Sequence, residues 1–455
     1  MDMMVEIIDT REDLKKEFIQ QRTILDQAIP GFGYQKREQA FAHFLKLGIP
    51  STRVEEFKYT PLEPLFNKEY HRSYTFDPIS FDKDLLFNCD VPNLETQVEF
   101  VVNSWYYHPE HRLQVLSNGI ILGSLAEAAK QYPELFQKHY TKYANPASDG
   151  LIALNTAFAQ DGFFLYLPKN TVMDQALQLI NMMMSDRNLM TQQRNLIILE
   201  DNSEANLLVC EHTMSNHDFL SNSVTEVYAG KNARLHLTKM QNENNDSSQL
   251  AAVFIHQEAD SQVSTNTISL HGGFIYNRFD VALQGRGAHN DTFGLYLTDR
   301  NQHISNRTLI DHAVPDATSN QTFKGVLDDD AHGSFTGKIL VRKDAQRTAA
   351  YQSNNNILLT DRAKMNTKPM LEIFADDVKC SHGATIGQLD SDALFYLRSR
   401  GISQKEARLL LMYAFTYEVI AAIPVEGLRL RVEELVSKRL RGELSRCNDC
   451  TNGCR

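Results

Sequence analysis

The sequence predicts a mainly β chain, a β-solenoid held between helical ends, on three observations. Between about residues 160 and 385, short alternating segments such as Leu235-His236-Leu237, Phe279-Asp280-Val281-Ala282-Leu283 and Leu295-Tyr296-Leu297 are separated by Asn, Asp and Gly turns, the pattern of many short strands. Within that stretch one phrase recurs, a turn residue followed by a small residue and then a strand: Gly287-Ala288-His289, Asp330-Ala331-His332, Asp344-Ala345-Gln346, Arg362-Ala363-Lys364 and Asp377-Val378-Lys379. On both sides of it, apolar residues recur with helical period. The small residues at 331, 345, 363 and 378 stand 14, 18 and 15 apart, too irregular for a strict repeat family but compatible with stacked coils of variable length. In such a stack each short strand pairs with the coils above and below, and small residues relieve the crowded corner. Ser353-Asn354-Asn355-Asn356 reads either as a side-chain ladder or as a polar turn. A β-sandwich with Asn-rich loops is the alternative fold.

The elements follow in order. Thr10 and Asp13 stand at capping-box spacing, and Leu14, Phe18, Leu25 and Ile29 recur until Pro30, which predicts a helix over 10–29. Ala40, Phe41, Phe44 and Leu45 mark a second helix ending at Gly48, with Pro50 beyond. Ser124-x-x-Glu127 opens a third, and a short one follows Asp149. After 390, Leu394, Phe395 and Leu397 precede a basic last turn and Gly401. Ser403-x-x-Glu406 then opens an unusually apolar helix carrying Ala407, Leu410, Leu411, Ala414, Phe415 and Ile420, and Leu428, Val432, Leu435, Val436 and Leu440 mark its neighbour. Leu409 through Met412 cannot all face one side of a 3.6-residue period, so packing in a C-terminal bundle and presentation to a partner are both open. The expected divisions are an N-terminal helical region at 1–97, a β core at 98–385 with a helical insertion at about 124–159, a C-terminal helical domain at 386–442 and a cysteine-bearing tail at 443–455.

Composition excludes several classes. With 455 residues, 42% hydrophobic and 23% charged, the chain buries more than one core, and its formal net charge of −11 lacks the basic footprint of a nucleic-acid binder. No apolar run approaches the ~20 residues of a membrane span, and Met1-Asp2-Met3-Met4-Val5-Glu6 is unlike a signal peptide, so a cytoplasmic location is expected. Six cysteines are too few and uneven for a disulfide framework. Cys89, Cys210 and Cys380 read as buried small hydrophobes, while Cys447, Cys450 and Cys454 form either a soft-metal group or a frayed end.

The chemistry-bearing motifs are sparse. Gly333-Ser334-Phe335-Thr336-Gly337-Lys338 is one residue short of a phosphate loop and places Ile339 where Ser or Thr binds magnesium, and Gly285-Arg286-Gly287 lacks the third glycine of a dinucleotide fingerprint. No nucleophile elbow or zinc-protease helix is present. Asp328, Asp329 and Asp330 are the nearest approach to the paired carboxylates of a β-helical carbohydrate-active enzyme, the runner-up function, but read as a solvated turn. Cys380 and His382, two apart on an extended strand, point to one side and reach one metal or cluster edge. They are half a site, and a buried Cys beside a hydrogen-bonded His is the plainer reading.

The stretch Phe374-Ala375-Asp376-Asp377-Val378-Lys379-Cys380-Ser381-His382-Gly383-Ala384-Thr385-Ile386-Gly387-Gln388-Leu389-Asp390, continued through Ile402, closely resembles the signature segment of the SufB/SufD family. Ser51-Thr52-Arg53-Val54-Glu55-Glu56-Phe57-Lys58-Tyr59-Thr60 resembles its N-terminal phrase, with Phe57 where Trp is common. Leu154-Asn155-Thr156-Ala157-Phe158, Asp161-Gly162 and Leu167-Pro168-Lys169 add a third segment. Gly383, where SufB-type chains carry Glu, and Leu394-Phe395-Tyr396-Leu397-Arg398, where they carry a cysteine-bearing helix, place the resemblance on the SufD side. The resemblance implies a right-handed parallel β-helix and a non-catalytic scaffold subunit for iron–sulfur cluster assembly. It further implies pairing with a SufB-like subunit through the solenoid and binding of a SufC-like ABC ATPase through the C-terminal helices, for which Glu406, Tyr413 and Phe415 are the candidate contacts. Whether the chain forms a homodimer in isolation is left open by the sequence. His382 and Cys380 are expected at the subunit interface as ligands of a transient cluster, with no stably bound cofactor. The cysteine tail departs from the family pattern.

Overall fold

The computed structural model describes residues 10–29, 32–76, 96–214 and 216–444. Cys89, Cys447, Cys450 and Cys454 lie outside the described residues.

Two ten-stranded sheets face each other. One runs β2 (Trp105–Tyr107), β1 (Thr96–Val102), β6 (Ala176–Met183), β8 (Glu204–Thr213), β10 (Arg234–Asn242), β12 (Gln262–His271), β14 (His289–Thr298), β16 (Thr318–Leu327), β18 (Thr348–Leu358), β20 (Val378–Gly387). The other runs β19 (Lys364–Ile373), β17 (His332–Val341), β15 (His303–His312), β13 (Phe274–Leu283), β11 (Ser247–Gln257), β9 (Phe219–Ala229), β7 (Leu189–Leu199), β5 (Phe163–Leu167), β4 (Ile121–Ser124), β3 (Leu113–Val115). From β5 and β6 onward consecutive strands alternate between sheets and all ladders are parallel, so each coil contributes one strand to each sheet: a β-solenoid, as the sequence predicts. Among the described residues only the pairs at the start, β1 with β2, β3 with β4 and β4 with β5, are antiparallel.

The irregular phrase spacing has a simple cause. Ala331 and Ala363 precede β17 (His332–Val341) and β19 (Lys364–Ile373) of one sheet, while Ala288, Ala345 and Val378 stand at or just before β14 (His289–Thr298), β18 (Thr348–Leu358) and β20 of the other. Consecutive phrases are therefore half-coils on opposite corners. The four alanines are buried. One corner carries a left-handed residue in coil after coil, Asn170, Asn202, Asn232, Asp260, Gly287, Asp316 and Arg347, the conformation Asn, Asp and Gly tolerate best. There the asparagines do form a ladder: Asn232 Nδ2 donates to Asn202 Oδ1 at 3.0 Å and Asn202 Nδ2 to Asn170 Oδ1 at 2.8 Å. Asn354 and Asn356 instead belong to β18, pointing inward to a buried network with Tyr296.

The helices cover the two outer faces. α1 (Thr10–Gln20), α2 (Arg22–Ala28), α3 (Tyr34–Leu47), α4 (Glu63–Phe66), α5 (Leu125–Gln131), α6 (Pro133–His139) and α7 (Gly150–Phe158) lie in the N-terminal part. The predicted single helix over 10–29 is broken at Gln21, so it is two. Leu14, Phe18, Phe41, Phe44 and Phe158 pack on Met190, Leu220, Leu250 and Tyr276 of the odd-numbered sheet. Ser124 and Asp149 cap as predicted, accepting from Glu127 N at 3.2 Å and Leu151 N at 2.7 Å. α8 (Ser391–Ser399), α9 (Gln404–Ala421) and α10 (Glu426–Arg441) end the described chain. α9 and α10 form no separate bundle. Met412, Val419, Ile420, Val432 and Val436 pack on Leu208, Met240, Ile268, Leu295 and Val326 of the even-numbered sheet, and Arg439 pins α10 there by bonds to Leu270 O (2.7 Å) and Asp299 Oδ2 (2.7 Å). Among the described residues, no helix is long and apolar enough to cross a membrane.

Candidate functional site

The last coil is the open end of the solenoid. β19 and β20 terminate their sheets, so each presents a row of backbone groups to which no further described strand pairs. Ile373 and Phe374 at the end of β19 and Ile386 on β20 are exposed, Phe374 at 64%, as are Tyr351 on β18 and Phe395 and Tyr396 on α8, Phe395 at 74%. Strand alternation puts Cys380, His382, Ala384 and Ile386 on the lumen side and Ser381, Gly383 and Thr385 outside. The registers confirm the assignment, since Cys380, His382 and Ile386 stand over the buried Ala350, Gln352 and Asn356.

Cys380 and His382 thus share a side, as their spacing predicts, but differ in environment. Cys380 is half-buried against Ile339, Val341, Ala350 and Ala375, and burial pushes its thiol up, opposed by a hydrogen bond from the Ala350 backbone. His382 is exposed. A buried imidazole satisfied within the core is therefore not its role in this chain. Among the described residues no group of three or more His, Cys, Asp and Glu side chains stands close enough to hold a metal ion. Gly383 is on the outer surface with open space around a would-be Cβ.

The C-terminal residues separate into two sets. Glu406 and Tyr413 line a groove between α9 and α10, with Leu410, Leu430, Glu433 and Arg441. Glu406 is bridged across it to Arg441 at 3.1 Å. Phe415 does not line the groove. It packs against the sheet-side cluster, with the Lys324 ammonium 4.8 Å over its ring and Lys324 paired to Glu418 at 2.6 Å. One side of α9 covers the sheet, while Leu410 and Tyr417 remain exposed. Leu430 on α10, exposed at 55%, was not singled out by periodicity, because it falls outside the Leu428, Val432, Leu435 stripe.

The remaining motifs carry no site. Gly333 and Gly337 lie inside β17, facing the lumen, where an added Cβ would meet Met365 and Gln352 at 2.6 and 2.4 Å; no phosphate reaches them. Asp328, Asp329 and Asp330 form a corner, with Asp330 paired to Arg362 at 2.9 Å and Asp329 accepting from Arg300 N at 3.1 Å. Sequence reasoning missed the charges inside the lumen, where Lys239 pairs with Glu211 at 3.0 Å beside the buried Glu243.

The sequence is similar to known proteins along most of its length. Residues 182–415 match the family described as SUF system FeS cluster assembly, SufBD core domain, and residues 8–179 match the SufBD protein N-terminal region. An iron-sulfur cluster assembly SufBD family protein of Synechocystis is 29% identical over 416 residues, covering 89% of this chain and 90% of the relative. Iron-sulfur cluster assembly protein SufD of Escherichia coli is 28% identical over 419 residues, covering 90% and 94%. The SufD of Bacillus subtilis is 25% identical over 345 residues, covering 72% and 76%.

Proposed function

Because the chain belongs to the SufB/SufD family and is SufD-like, we propose that it is a non-catalytic scaffold subunit of iron–sulfur cluster assembly, pairing with a SufB-like subunit through its open terminal coil. The observation that carries this reading is the terminal coil itself: an unpaired edge strand, with exposed apolar side chains on it and at the end of β19, presents one thiol and one imidazole on one side. A partner strand laid on that edge satisfies its backbone groups and buries its apolar side chains. In the absence of that partner a second copy of the chain is the natural substitute.

Iron in a cluster takes four ligands, sulfide included, and its protein donors are thiolate or imidazole. Cys380 and His382 supply two such donors, so the partner supplies the remainder and the cluster, as cargo, stays open for release. Burial keeps the Cys380 thiol protonated until a metal displaces the proton. The ATPase, of the SufC-like ABC class, docks on the groove of α9 and α10 through Glu406 and Tyr413, with Phe415 holding the platform to the sheet.

The test is iron content of the complex reconstituted with its partners. His382→Ala is expected to leave the melting temperature within about 2 °C, since an exposed side chain contributes little to the core, and to lower iron bound per complex severalfold. Cys380→Ala is expected to do the same with a modest loss of stability. Iron per complex unchanged by both substitutions would sink the ligand assignment.

A further inference from the structure

Two strands end the solenoid, β19 in one sheet and β20 in the other, and their free edges differ. In a parallel ladder the N–H and C=O of one residue point to the same neighbouring strand, and those of the next residue point the opposite way. On β19, Lys364 N and, just past the strand, Phe374 N donate to Ala331 O and Val341 O of the preceding coil, both at 2.9 Å. Residues of that parity therefore pair with β17, and Met365, Thr367, Pro369, Leu371 and Ile373 turn their backbone groups to the open edge. On β20, Thr385 O accepts from Asn356 Nδ2 of β18 at 3.2 Å. One coil earlier Ala349, the register partner of Lys379, likewise donates back to Ala317 O at 3.3 Å. The odd-numbered residues of β20 thus pair with β18, and Val378, Cys380, His382, Ala384 and Ile386 turn to the open edge.

What occupies those positions sets the two edges apart. Proline has no N–H, and Pro369 stands in the middle of the edge-facing set of β19. It takes nothing from the ladder to β17, because its nitrogen points the other way. A strand laid on β19 finds no donor at the centre and meets the pyrrolidine ring where its carbonyl would come. β19 also carries Lys364, Lys368 and Glu372, charge of the kind that discourages edge pairing, and Lys368 is paired to Glu55 of the N-terminal region. β20 lacks both devices: from Cys380 to Gly387 it has no Pro, Lys, Arg, Asp or Glu. All five of its edge-facing residues keep their N–H. Its outward side chains there are Ser381, Gly383 and Thr385, small and neutral, with open space around a would-be Cβ at Gly383.

We infer that the two edges are unequal by construction: an extended strand of the SufB-like partner adds to β20, and Pro369 keeps β19 from taking one. This rests on the proposed docking of that partner on the terminal coil. Strand addition draws its affinity from main-chain hydrogen bonds, which any extended segment can supply, so an end with two open edges would accept a strand on either sheet. Closing one of them fixes the side of the solenoid on which the partner's strand lies. The accepting strand is the one that bears Cys380 and His382, and the added strand runs about 4.8 Å from it. Contact at β19 is left to side chains, for which Ile373 and Phe374 stand exposed.

The test is residue-resolved hydrogen exchange of the full chain in complex with the SufB-like subunit, joined to proline substitutions at edge-facing positions. In the complex the amides of Cys380, His382 and Ala384 are expected to exchange at least about tenfold more slowly than those of Thr367 and Leu371. Ala384→Pro removes an edge donor without touching the ladder to β18. It is expected to leave the melting temperature within about 2 °C and to lower affinity for the subunit at least about tenfold in titration calorimetry. Thr367→Pro does the same to β19 and is expected to leave affinity unchanged. Exchange as slow on β19 as on β20, undiminished affinity of a folded Ala384→Pro, or equal losses in the two variants overturns the proposal. The exchange comparison uses the wild-type chain and decides alone if Ala384→Pro folds poorly. A complex in which neither edge is slowed, or no complex at all, removes docking on the terminal coil. Slowing on β19, with or without β20, leaves that docking in place and removes the inequality of the edges.

Discussion

Glu243 sits in the lumen beyond β10 (Arg234–Asn242), with one carboxylate oxygen buried and unpartnered. Burial, reinforced by the neighbouring Glu211, pushes its carboxyl up to about 7, against the opposing pull of Lys239, His212 and Ser247. Since the folded-state value lies above the ordinary one, the group stabilises the fold fully below the ordinary carboxyl range, and this contribution is lost as pH rises through 7. The size is roughly 3 kcal/mol across the window from about pH 4.5 to 7. Glu243→Gln is therefore expected to flatten the fall in urea stability between pH 5 and 8, and to leave the variant the more stable of the two at pH 8. Parallel stability curves for the two proteins would refute this. At the same scale, Cys380 and His382 were legible as a pair because a strand repeats every two residues. Gln352 was not, because its relation to His382 depends on coil length, and the coils vary.

α9 shows what an element's pattern does and does not determine. Its excess of apolar residues correctly indicates two covered or coverable sides, but which residue serves which side depends on the sheet beneath it. Phe415 faces that sheet and Tyr413 the groove. Tyr413→Glu is expected to change stability by less than about 0.5 kcal/mol and to abolish retrieval of the SufC-like ATPase. Phe415→Glu is expected to cost about 2 kcal/mol or more by burying a charge beneath the helix, seen as a lowered melting temperature. Equal loss of stability in both variants would return Tyr413 to the packed core. The capping residues Ser124, Asp149 and Ser403 were readable from sequence because a cap is a local device: each accepts from a backbone N–H two or three residues ahead.

For the molecule as a whole, the asymmetry of the solenoid is decisive. At its beginning β1–β5 fold back in antiparallel hairpins, and at its other end two strands stop with their edges unpaired. Natural sheets protect such edges with charge or proline; β19 has both, yet Phe374 and Ile386 stand exposed. Phe374→Glu combined with Ile386→Lys is expected to leave circular dichroism unchanged and to weaken association with the SufB-like subunit at least tenfold, measured by titration calorimetry. Undiminished affinity would place the pairing surface elsewhere.

By itself the sequence determined the class of fold, the positions of the caps, the Cys-x-His pair and its family resemblance, because each is written in short-range periodicity or in an unbroken motif. Tertiary structure alone decided that the phrases of the β region are half-coils, that Asn354 and Asn356 are interior rather than turn residues, and that the C-terminal helices use the sheet as their floor. It also decided that His382 stands in register with the buried Gln352. The physical reason is register: hydrogen bonding between coils brings together residues 29 to 32 apart in sequence, and a one-residue change in any corner moves every later side chain to the opposite face.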